Sequence, residues 1–490
     1  MNPPFPWVPF LKKVDLPPDP LKVYRAMKTA APSVLLESAR TAPRVGSFSF
    51  IGSEPFLIFE AEGLRVTLRD KEGVTEKKEG NPFRILRRIF RSYPVRTHPL
   101  LPPFVGGAIG YFGYEVKNIL EPRLLVLNKE DAGLPDIYLL FFDEGVLFDH
   151  RNDAVYLFCA VPEIQGARRC AEAASRKIRR LEEKIVSAIG EEPGLRENRP
   201  EENNRAWIQS SLSREAFVRI VAKAKDFIRR GDIFQANLSQ RLSFELNEDP
   251  LGIYARLRAI NTSAFFGFLD AGDFQIVSGS PERLLKLENG FLETRPIAGT
   301  RPRGATPLED AAVSADLILN EKERAEHLML VDLERNDLGR VSEYCSVSVD
   351  EMMVLEDYSH VKHIVSNIRG VLRPGFDMLD AFASFFPGGT ITGTPKFRAM
   401  DIIEELEPVR RGPYTGSLGY FSFTGNMDFN ILIRSLVVKG QKGCLHVGAG
   451  IVADSDPEKE YDETLYKAEA VLSACFGARK AREFFVPRGT

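Results

Sequence analysis

The stretch GDIFQANLSQRL, residues 231–242, gives the most direct indication of the fold class. Its apolar residues Phe234, Ala236 and Leu238 alternate with polar residues, which is the two-residue period of a β-strand. One face of this strand is therefore predicted to be apolar and the opposite face strongly polar. We expect the polar face to be exposed or to line a binding site.

An amphipathic helix is predicted immediately before this strand. Ser213 is a suitable N-cap, and Gly231 is a typical residue at which a helix ends. The predicted buried stripe repeats every three to four residues and consists of Phe217, Ile220, Val221, Ala224, Phe227 and Ile228. A helix followed by a long strand is therefore expected here.

A change in composition further upstream predicts the domain organisation. Residues 163–185 are rich in charged side chains and predict a helix. The stretch that follows is too polar and too rich in Pro and Gly to pack, so we place a linker at 187–207. This linker divides the chain into an N-terminal region, 1–186, and a C-terminal region, 208–490.

A second strand signal lies in FSFTGNMDFNILIRSLVV, residues 421–438, which predicts a hairpin that turns at Gly425 and Asn426. In its second arm one predicted face consists of Phe429, Ile431 and Ile433. Several long antiparallel strands with scattered helices predict an α+β fold.

Two glutamates, Glu326 and Glu463, lie in helical segments that are separated by Gly-rich strand segments. In KERAEHLMLVD, residues 322–332, Glu326 shares a helix face with Met329 and Leu330. In the second segment Ser455 or Asp456 is the expected cap of a helix that begins at Pro457 and carries Glu460, Glu463 and Lys467 on one side. A carboxylate pair of this kind suits Mg²⁺, which needs only one or two carboxylates beside water and an anionic substrate.

Composition favours a cytoplasmic enzyme. The 490 residues are 44% hydrophobic, which is enough for one large core or two domains. The net charge of −3 argues against a nucleic-acid partner, and no apolar run predicts a membrane span or a signal peptide. The five cysteines show no CxxC spacing and are expected to be reduced thiols that are mostly packed in the interior.

The C-terminal region closely resembles the chorismate-utilising enzymes, which include the synthase subunits of anthranilate synthase and aminodeoxychorismate synthase. The resemblance rests on eight motifs in one order: GDIFQANLSQRL (231–242), SGSPERLL (278–285), TRPIAGTRPRG (294–304), AEHLMLVDLERNDLGRV (325–341), YSHVKHIVSN (358–367), FPGGTITGTPK (386–396), RRGPYTGSLGYFSFTGNMD (410–428) and GAGIVADSDPEKEYDET (448–464). Weaker similarity in LLES (35–38) and SFSFIGSEP (47–55) extends it over nearly the whole chain.

This resemblance implies an αββα sandwich in which two large, mainly antiparallel sheets are flanked by helices. Both halves of the chain are expected to contribute strands to both sheets. Residues 1–186 correspond to an anthranilate synthase component I-like region, and residues 208–490 to the chorismate-binding catalytic domain. It also implies that Glu326 and Glu463 hold the Mg²⁺.

The resemblance further assigns the groups that bind chorismate, which carries two carboxylates, a C4 hydroxyl and an enolpyruvyl ether. One carboxylate is expected on the Mg²⁺. The other is expected on the guanidinium of Arg434, the hydroxyl of Tyr414 and the backbone amides that Gly448 and Gly450 leave accessible. Lys467 is expected to contact the substrate or to support the metal carboxylates.

Departure of the C4 hydroxyl requires a group that is still protonated at neutral pH. Glu282 of SPERLL matches the position of this general acid, and burial would raise its pKa. His363 matches a histidine near the leaving groups, and Thr300 matches a residue that hydrogen-bonds the substrate. Lys362 should point to the opposite face of the strand that carries His363.

Gln235 and Met329 are expected to select the nucleophile. Isochorismate and salicylate synthases carry a lysine where this chain has Gln235 and a leucine where it has Met329. A neutral amide cannot act as a base, so ammonia is favoured over water. No cysteine of this chain stands in an elbow typical of glutamine amidotransferases, so a separate amidotransferase subunit is the expected partner.

The site of amination distinguishes the two ammonia-using families. FPGGTITG, GNMDFNILIRS and the segment at 261–265, which lacks the prolines and tyrosine of a tryptophan site, favour aminodeoxychorismate synthase component I. Ala298 and the LLES motif favour anthranilate synthase, in which Leu36, Glu37 and Ser38 would belong to an effector site. Anthranilate synthase component I is therefore the alternative, and an isochorismate synthase or a non-catalytic chorismate or tryptophan sensor are remoter ones.

Overall fold

The structure is a computed structural model that describes residues 6–28, 31–38, 47–127, 132–163, 166–191, 208–261, 263–357 and 361–484. Its strands are β1 (Trp7–Val14), β2 (Ser33–Ser38), β3 (Phe48–Ser53), β4 (Leu57–Glu62), β5 (Arg65–Asp70), β6 (Thr75–Glu79), β7 (Gly107–Phe112), β8 (Ile137–Phe142), β9 (Glu144–Asp149), β10 (Ala154–Pro162), β11 (Gln209–Ser210), β12 (Gln235–Glu245), β13 (Phe265–Asp270), β14 (Phe274–Ser280), β15 (Arg283–Glu288), β16 (Phe291–Thr294), β17 (Ile297–Pro302), β18 (Ser348–Asp357), β19 (Val361–Val371), β20 (Gly393–Thr394), β21 (Ser417–Ser422), β22 (Met427–Asn430), β23 (Ser435–Lys439) and β24 (Lys442–Ile451).

The α-helices of the same residues are α1 (Pro20–Met27), α2 (Pro82–Arg91), α3 (Lys117–Leu120), α4 (Ala167–Glu191), α5 (Arg214–Arg229), α6 (Pro250–Ile260), α7 (Pro307–Leu319), α8 (Glu321–Gly339), α9 (Met378–Phe385), α10 (Lys396–Leu406), α11 (Pro457–Phe476) and α12 (Ala478–Glu483). A short 3₁₀ helix spans Tyr114–Val116. Among these described helices, none is long and apolar enough to cross a lipid bilayer.

The strands form two twelve-stranded antiparallel sheets. The first sheet has the order β1-β10-β9-β3-β2-β13-β14-β23-β24-β12-β11, with β20 also paired to β12. The second sheet has the order β17-β19-β16-β15-β22-β21-β7-β8-β4-β5-β6, with β18 also paired to β19. Each sheet contains one block of strands from the N-terminal half and one from the C-terminal half, and the blocks meet where β2 pairs with β13 and where β7 pairs with β21.

The three largest apolar cores of the described residues hold these layers together. Phe50 and Ile276 of the first sheet pack with Ile109 and Leu140 of the second, so one core lies between the sheets. A second core joins the outer face of the first sheet to α1, α4, α6 and α11. The third joins the outer face of the second sheet to α2, α8 and α9. This layering confirms the α+β fold class and the αββα sandwich.

Local signals predicted several helix ends correctly. Ser213 caps α5 and its hydroxyl accepts a hydrogen bond from the Ala216 backbone amide at 3.2 Å. Asp456, the second of the two expected caps, begins α11 by accepting hydrogen bonds from the amides of Glu458 and Lys459. These caps satisfy amide groups that have no partner within the helix.

Two predictions on the polypeptide path need correction. The linker cannot begin at residue 187, because α4 continues to Glu191 and so covers 187–191. The rest of that linker, 192–207, lies outside the described residues. In β12 the alternation holds for Ala236 and Leu238, which are fully buried, but Phe234 precedes the strand and its side chain is 66% exposed.

The hairpin at Gly425 is present, but its second arm is not one continuous strand. β22 ends at Asn430 in the second sheet, and β23 begins at Ser435 in the first sheet. The chain therefore crosses between the sheets over 431–434, and Arg434 lies at the end of this crossing with a φ of 51°. The prediction of one strand face that included both Ile431 and Ile433 was therefore wrong.

The cysteines agree with their expected state. All five are free thiols, of which Cys159, Cys170, Cys444 and Cys475 are buried and Cys345 is exposed.

Candidate active site

The paired strands β12 and β24 form one wall of the candidate site. They are antiparallel, and Asn237 lies opposite Gly450. A Cβ atom at Gly448 would lie 2.6 Å from the Tyr414 hydroxyl oxygen, and one at Gly450 would lie 2.8 Å from Gln235 Nε2. Gly448 therefore needs glycine, because its Cβ would also lie 2.7 Å from the backbone oxygen of Leu238, whereas at Gly450 the flexible Gln235 side chain could move aside.

Glu282 lies just before β15, and its side chain is only 6% exposed. Burial raises its pKa to about 7, while the Thr390 hydroxyl and the charges of Lys467 and Arg434 oppose the rise. Its Oε1 atom is buried without a hydrogen-bond partner among the described residues. Glu282 can therefore carry a proton at neutral pH and donate it to a ligand.

Arg434 is the cation that faces Glu282 from the crossing between the sheets. A positive φ is uncommon for a residue with a long side chain and turns Arg434 out of the regular strand direction. Burial lowers the pKa of the guanidinium, and the charge of Glu282 opposes this effect. A guanidinium in this position offers two parallel N–H donors to a carboxylate.

His363 lies on β19 and is 4% exposed. Its Nδ1 atom is 3.3 Å from the carbonyl oxygen of Gly299, and the charge of Arg434 reaches the ring. Burial lowers the pKa of His363 to about 4, so the ring is neutral at pH 7. Thr300 of β17 lies opposite His363, and Ala298 lies opposite Ile364.

The neighbouring Lys362 points the other way, as expected from the strand period. Its ammonium group forms ion pairs with Asp310 at 2.9 Å and with Asp357 at 2.7 Å. These partners keep the charge of Lys362 away from the face of β19 that carries His363.

Lys467 connects α11 to the β24 wall. Its Nζ atom donates to the Gly448 carbonyl oxygen at 3.0 Å and lies 2.7 Å from Glu463 Oε1. The side chains of Lys467 and Glu463 are 41% and 49% exposed, so a ligand can reach both. The structure therefore brings Lys467, Glu463, Glu282 and Tyr414 to the same end of the sandwich.

The residues present fit the donor set of Mg²⁺. Glu326 is half-buried on α8, which packs against β17 and β19, while Glu463 is on α11, which packs against β24. Among the described residues no three or more His, Cys, Asp or Glu side chains form a metal cluster. Mg²⁺ commonly takes only one or two protein carboxylates and completes its shell with water and substrate oxygens, so two glutamates suffice.

A pocket of about 550 Å³ lies beside the nucleophile positions. Met329 lines it together with Thr394, whose backbone pairs with that of Gln235 in the short β20 to β12 ladder. The Gln235 Oε1 and Thr394 Oγ1 atoms are buried without hydrogen-bond partners in the described structure. These acceptors are available to an N–H donor that reaches this end of the site.

The candidate effector residues lie elsewhere, on β2 of the first sheet. Leu36, Glu37 and Ser38 line a cavity of about 60 Å³ between the sheets. The Glu37 carboxylate accepts hydrogen bonds from the Tyr254 hydroxyl at 2.9 Å and from Arg258 Nε at 2.8 Å. Burial raises the pKa of Glu37, and the charge of Arg258 opposes this rise.

Three polar residues of the site, Thr390, Thr394 and Asn237, had no role predicted from the sequence. Thr390 and Thr394 belong to the glycine-rich segment 386–396, in which the sequence predicted no individual site residue. The tight approach of Gly389 to α8, where a Cβ would lie 2.2 Å from Leu333, shows how this loop is seated. The polar residues that alternate along β12 include Asn237, but the sequence pattern predicted no role for its side chain.

Comparison with known proteins identifies the class. The family model for chorismate binding enzymes matches residues 31–473, so the chain belongs to the chorismate-binding enzyme family. It is an enzyme of this family that uses chorismate. The recognition made from the eight motifs is therefore confirmed.

Similar proteins carry the names of two groups, anthranilate synthase and aminodeoxychorismate synthase. The chain is 41% identical to anthranilate synthase component 1 of Acetivibrio thermocellus, over 94% of each chain. It is 43% identical to aminodeoxychorismate synthase component 1 of Bacillus subtilis, over 90% of this chain and 91% of the relative. The solved anthranilate synthase component I of Streptococcus pneumoniae matches with a TM-score of 0.75 and 34% identity, covering 88% of this chain and 92% of that one.

Proposed function

We propose that the chain is the synthase component that aminates chorismate with ammonia to give 4-amino-4-deoxychorismate. The observation that carries this proposal is Glu282, a buried acid with a pKa of about 7 beside the cations Arg434 and Lys467. Such a group can protonate a leaving hydroxyl while the cations hold an anionic substrate.

The nucleophile follows from Gln235 and Met329. The Gln235 amide contacts the Gly450 position and carries no basic atom that could activate water at pH 7. Its unpartnered Oε1 can accept a hydrogen bond from ammonia. Both features support amination over hydration and therefore over isochorismate synthesis. The non-catalytic sensor role ranks lower because the matched catalytic positions, such as the buried acid Glu282, carry chemically competent residues.

Amination at C4 is supported by FPGGTITG, GNMDFNILIRS and the altered segment at 261–265. The cavity at Leu36, Glu37 and Ser38 measures about 60 Å³, whereas sites for small ligands usually measure ~300 Å³ or more, so a tryptophan effector has little room there.

The second candidate is anthranilate synthase component I. Ala298, where a lysine is common in the aminodeoxychorismate branch, and the names of several relatives favour it.

A second polypeptide is proposed as the source of ammonia. The relatives are named component 1, which points to a further component in those systems. For this chain we assign that role to a glutamine amidotransferase subunit. Free ammonium at high concentration should replace it in vitro.

Magnesium is proposed as the cofactor, held by Glu326 and Glu463. When bound, the ion would neutralise a substrate carboxylate. We expect EDTA to abolish turnover and Glu463→Ala to do the same with an unchanged thermal melting temperature, because one of two metal carboxylates is lost. Glu458→Ala, an exposed glutamate of the same helix, is the control. Full activity of wild-type protein in EDTA would contradict a metal requirement.

The amination itself is tested with ¹⁵N-labelled ammonium. Purified protein with chorismate, Mg²⁺ and the labelled salt should form a product that contains one ¹⁵N atom, detected by mass spectrometry. Chorismate converted without nitrogen incorporation would contradict the proposed function and point to water as the nucleophile. An absence of any chorismate consumption would contradict it in favour of the sensor role.

A further inference from the structure

Asn237 of β12 is a buried polar residue of the candidate active site with an unsatisfied donor. It is 6% exposed, and its Nδ2 atom has no hydrogen-bond partner among the described residues. A buried amide N–H group that has lost its water without gaining a partner lowers stability, and such groups are rare in folded proteins. In the wall of a binding site, this donor indicates a ligand that supplies the missing acceptor.

The hydroxyl of Tyr414 lies beside this amide. A Cβ atom at Gly448 would lie 2.6 Å from the Tyr414 hydroxyl oxygen and 3.2 Å from Asn237 Nδ2, so both polar atoms border the same glycine. Burial raises the pKa of Tyr414 to about 12, and the charge of Arg411 and the neighbouring Asn237 amide oppose this rise. The hydroxyl is therefore protonated at neutral pH. Since Nδ2 forms no hydrogen bond of normal geometry with it, both groups are available as donors.

Arg411 holds both residues of this pair in place. Its side chain is 2% exposed and donates from Nη2 to the Asn237 carbonyl oxygen at 2.5 Å and to Glu407 Oε1 at 2.6 Å. The guanidinium also lies 5.7 Å from the centre of the Tyr414 ring. The backbone amide of Asn237 donates to the Thr392 carbonyl oxygen at 3.0 Å. Because both backbone groups of Asn237 are bonded, the strand holds its side chain against Gly448.

The charges around this pair favour an anionic ligand. Lys467 Nζ donates to the Gly448 carbonyl oxygen at 3.0 Å, so a cation lies at the same glycine as the two neutral donors. The acidic neighbour on this side is Glu463, which lies 2.7 Å from Lys467 Nζ and is the residue proposed to hold Mg²⁺. The side chains of Lys467 and Glu463 are 41% and 49% exposed, so a ligand can reach this point. A carboxylate fits two neutral donors beside a cation.

We propose that Asn237 is a substrate-binding residue whose Nδ2 atom donates to a carboxylate oxygen of chorismate beside the Tyr414 hydroxyl. The carboxylate supplies the acceptor that the buried amide lacks in the free protein. Asn237 thereby adds a side-chain donor to the anion site expected from Arg434, Tyr414 and the glycines of β24. This inference rests on the proposed function for its substrate, but it concerns the binding step and is tested without ammonia.

Asn237→Leu tests this role, because leucine has a similar size and no donor. Chorismate binding is measured by calorimetry with Mg²⁺ and without ammonium. The Kd should rise about 10- to 100-fold, the range expected when a hydrogen bond to a charged group is lost. The melting temperature of the free protein should stay the same or rise, because the amide has no partner there. With saturating chorismate and ammonium, kcat should stay within about threefold of the wild type.

Asn426→Leu is the matched control. Asn426 is also buried, but its Oδ1 atom accepts a hydrogen bond from the Asn289 backbone amide at 2.9 Å. Loss of this bond should lower the melting temperature and leave the Kd for chorismate unchanged.

Two further variants separate the lost donor from the altered shape. Asn237→Ala, which adds no bulk, should show the same loss of affinity as Asn237→Leu. In the double variant of Asn237→Leu with Tyr414→Phe, the Kd should rise by less than the product of the two single effects, because both donors bind one carboxylate.

Three outcomes overturn the inference. The first is a wild-type Kd in both Asn237→Leu and Asn237→Ala. The second is a melting temperature lowered as in Asn426→Leu together with losses in both kcat and Kd, which would mean that Asn237 only supports the fold. The third is a double variant whose effects multiply, which would place the two donors on separate substrate groups. By contrast, wild-type protein that binds chorismate but incorporates no ¹⁵N would contradict the proposed function and leave this binding role intact.

Discussion

At the scale of single residues, the site depends on burial more than on direct ion pairing. Glu282 and His363 are both nearly inaccessible to solvent, and burial moves their pKa values in opposite directions, to about 7 and about 4. The carboxyl group can hold a proton at neutral pH, and the imidazole is neutral there. Only the first of the two can therefore serve as the acid for a leaving hydroxyl at pH 7.

Activity should therefore fall as the pH rises through the pKa of Glu282. The acid is protonated below about 7 and ionised above it, so kcat/KM for chorismate should decrease about tenfold per pH unit on the alkaline side. Measurement at a constant concentration of free ammonia separates this effect from the titration of ammonium. Glu282→Gln should lose about 10²- to 10⁴-fold in kcat and show no such alkaline limb.

Glu288→Gln, at the other end of β15, is the control for this variant and should keep the wild-type profile. If Glu282→Gln retained either the wild-type kcat or the alkaline limb, another group would have to be the acid.

At the scale of elements, the site needs close contact between β24 and the side chains that pack on it. Gly448→Ala should destabilise the fold by ~1–3 kcal/mol and weaken chorismate binding, because the new Cβ would lie 2.6 Å from the Tyr414 hydroxyl and 2.7 Å from the Leu238 carbonyl oxygen. Thermal melting and the KM for chorismate report the two effects.

The matched control is Gly252→Ala in α6, where the nearest atom to the new Cβ is 3.8 Å away. Alanine in a helix interior should be neutral or stabilising at this position. Equal melting temperatures for Gly448→Ala and the wild type would contradict this prediction, because they would mean that the structure accommodates the additional methyl group on β24.

Features that depend on neighbouring residues could be predicted from the sequence, whereas features that depend on tertiary packing could not. Caps such as Ser213 and Asp456 and the polar period of β12 depend on neighbouring residues, so local patterns found them. The crossing at 431–434 depends on which sheet each strand joins, and no local pattern signals the positive φ of Arg434. Glu334 and Thr294 are 40 residues apart and meet only through tertiary packing, so their contact could not be predicted.

At the scale of the whole molecule, the two sheets unite both halves of the chain. β13 pairs with β2 on one side, and β21 pairs with β7, so the C-terminal region alone would expose unpaired strand edges and half of the core between the sheets. We expect a fragment of residues 208–490 to show no cooperative thermal unfolding and no chorismate binding. A fragment that unfolds cooperatively and binds chorismate would contradict this prediction.

The fold and the eight motifs defined the chorismate-binding class, because that class depends on residues spread over the whole domain. The position of amination depends on a few side chains near the substrate ring, among them Ala298, and the relatives carry both names. Sequence identity over the whole chain therefore does not assign the position of amination. Identification of the product does.

The most direct test of the proposed function is the identity of the product from chorismate, Mg²⁺ and ammonium, analysed by mass and fluorescence without any added lyase. We expect 4-amino-4-deoxychorismate that retains its enolpyruvyl group, with no release of pyruvate. A fluorescent product of anthranilate mass, formed with one pyruvate per chorismate, would contradict it and establish the anthranilate synthase alternative.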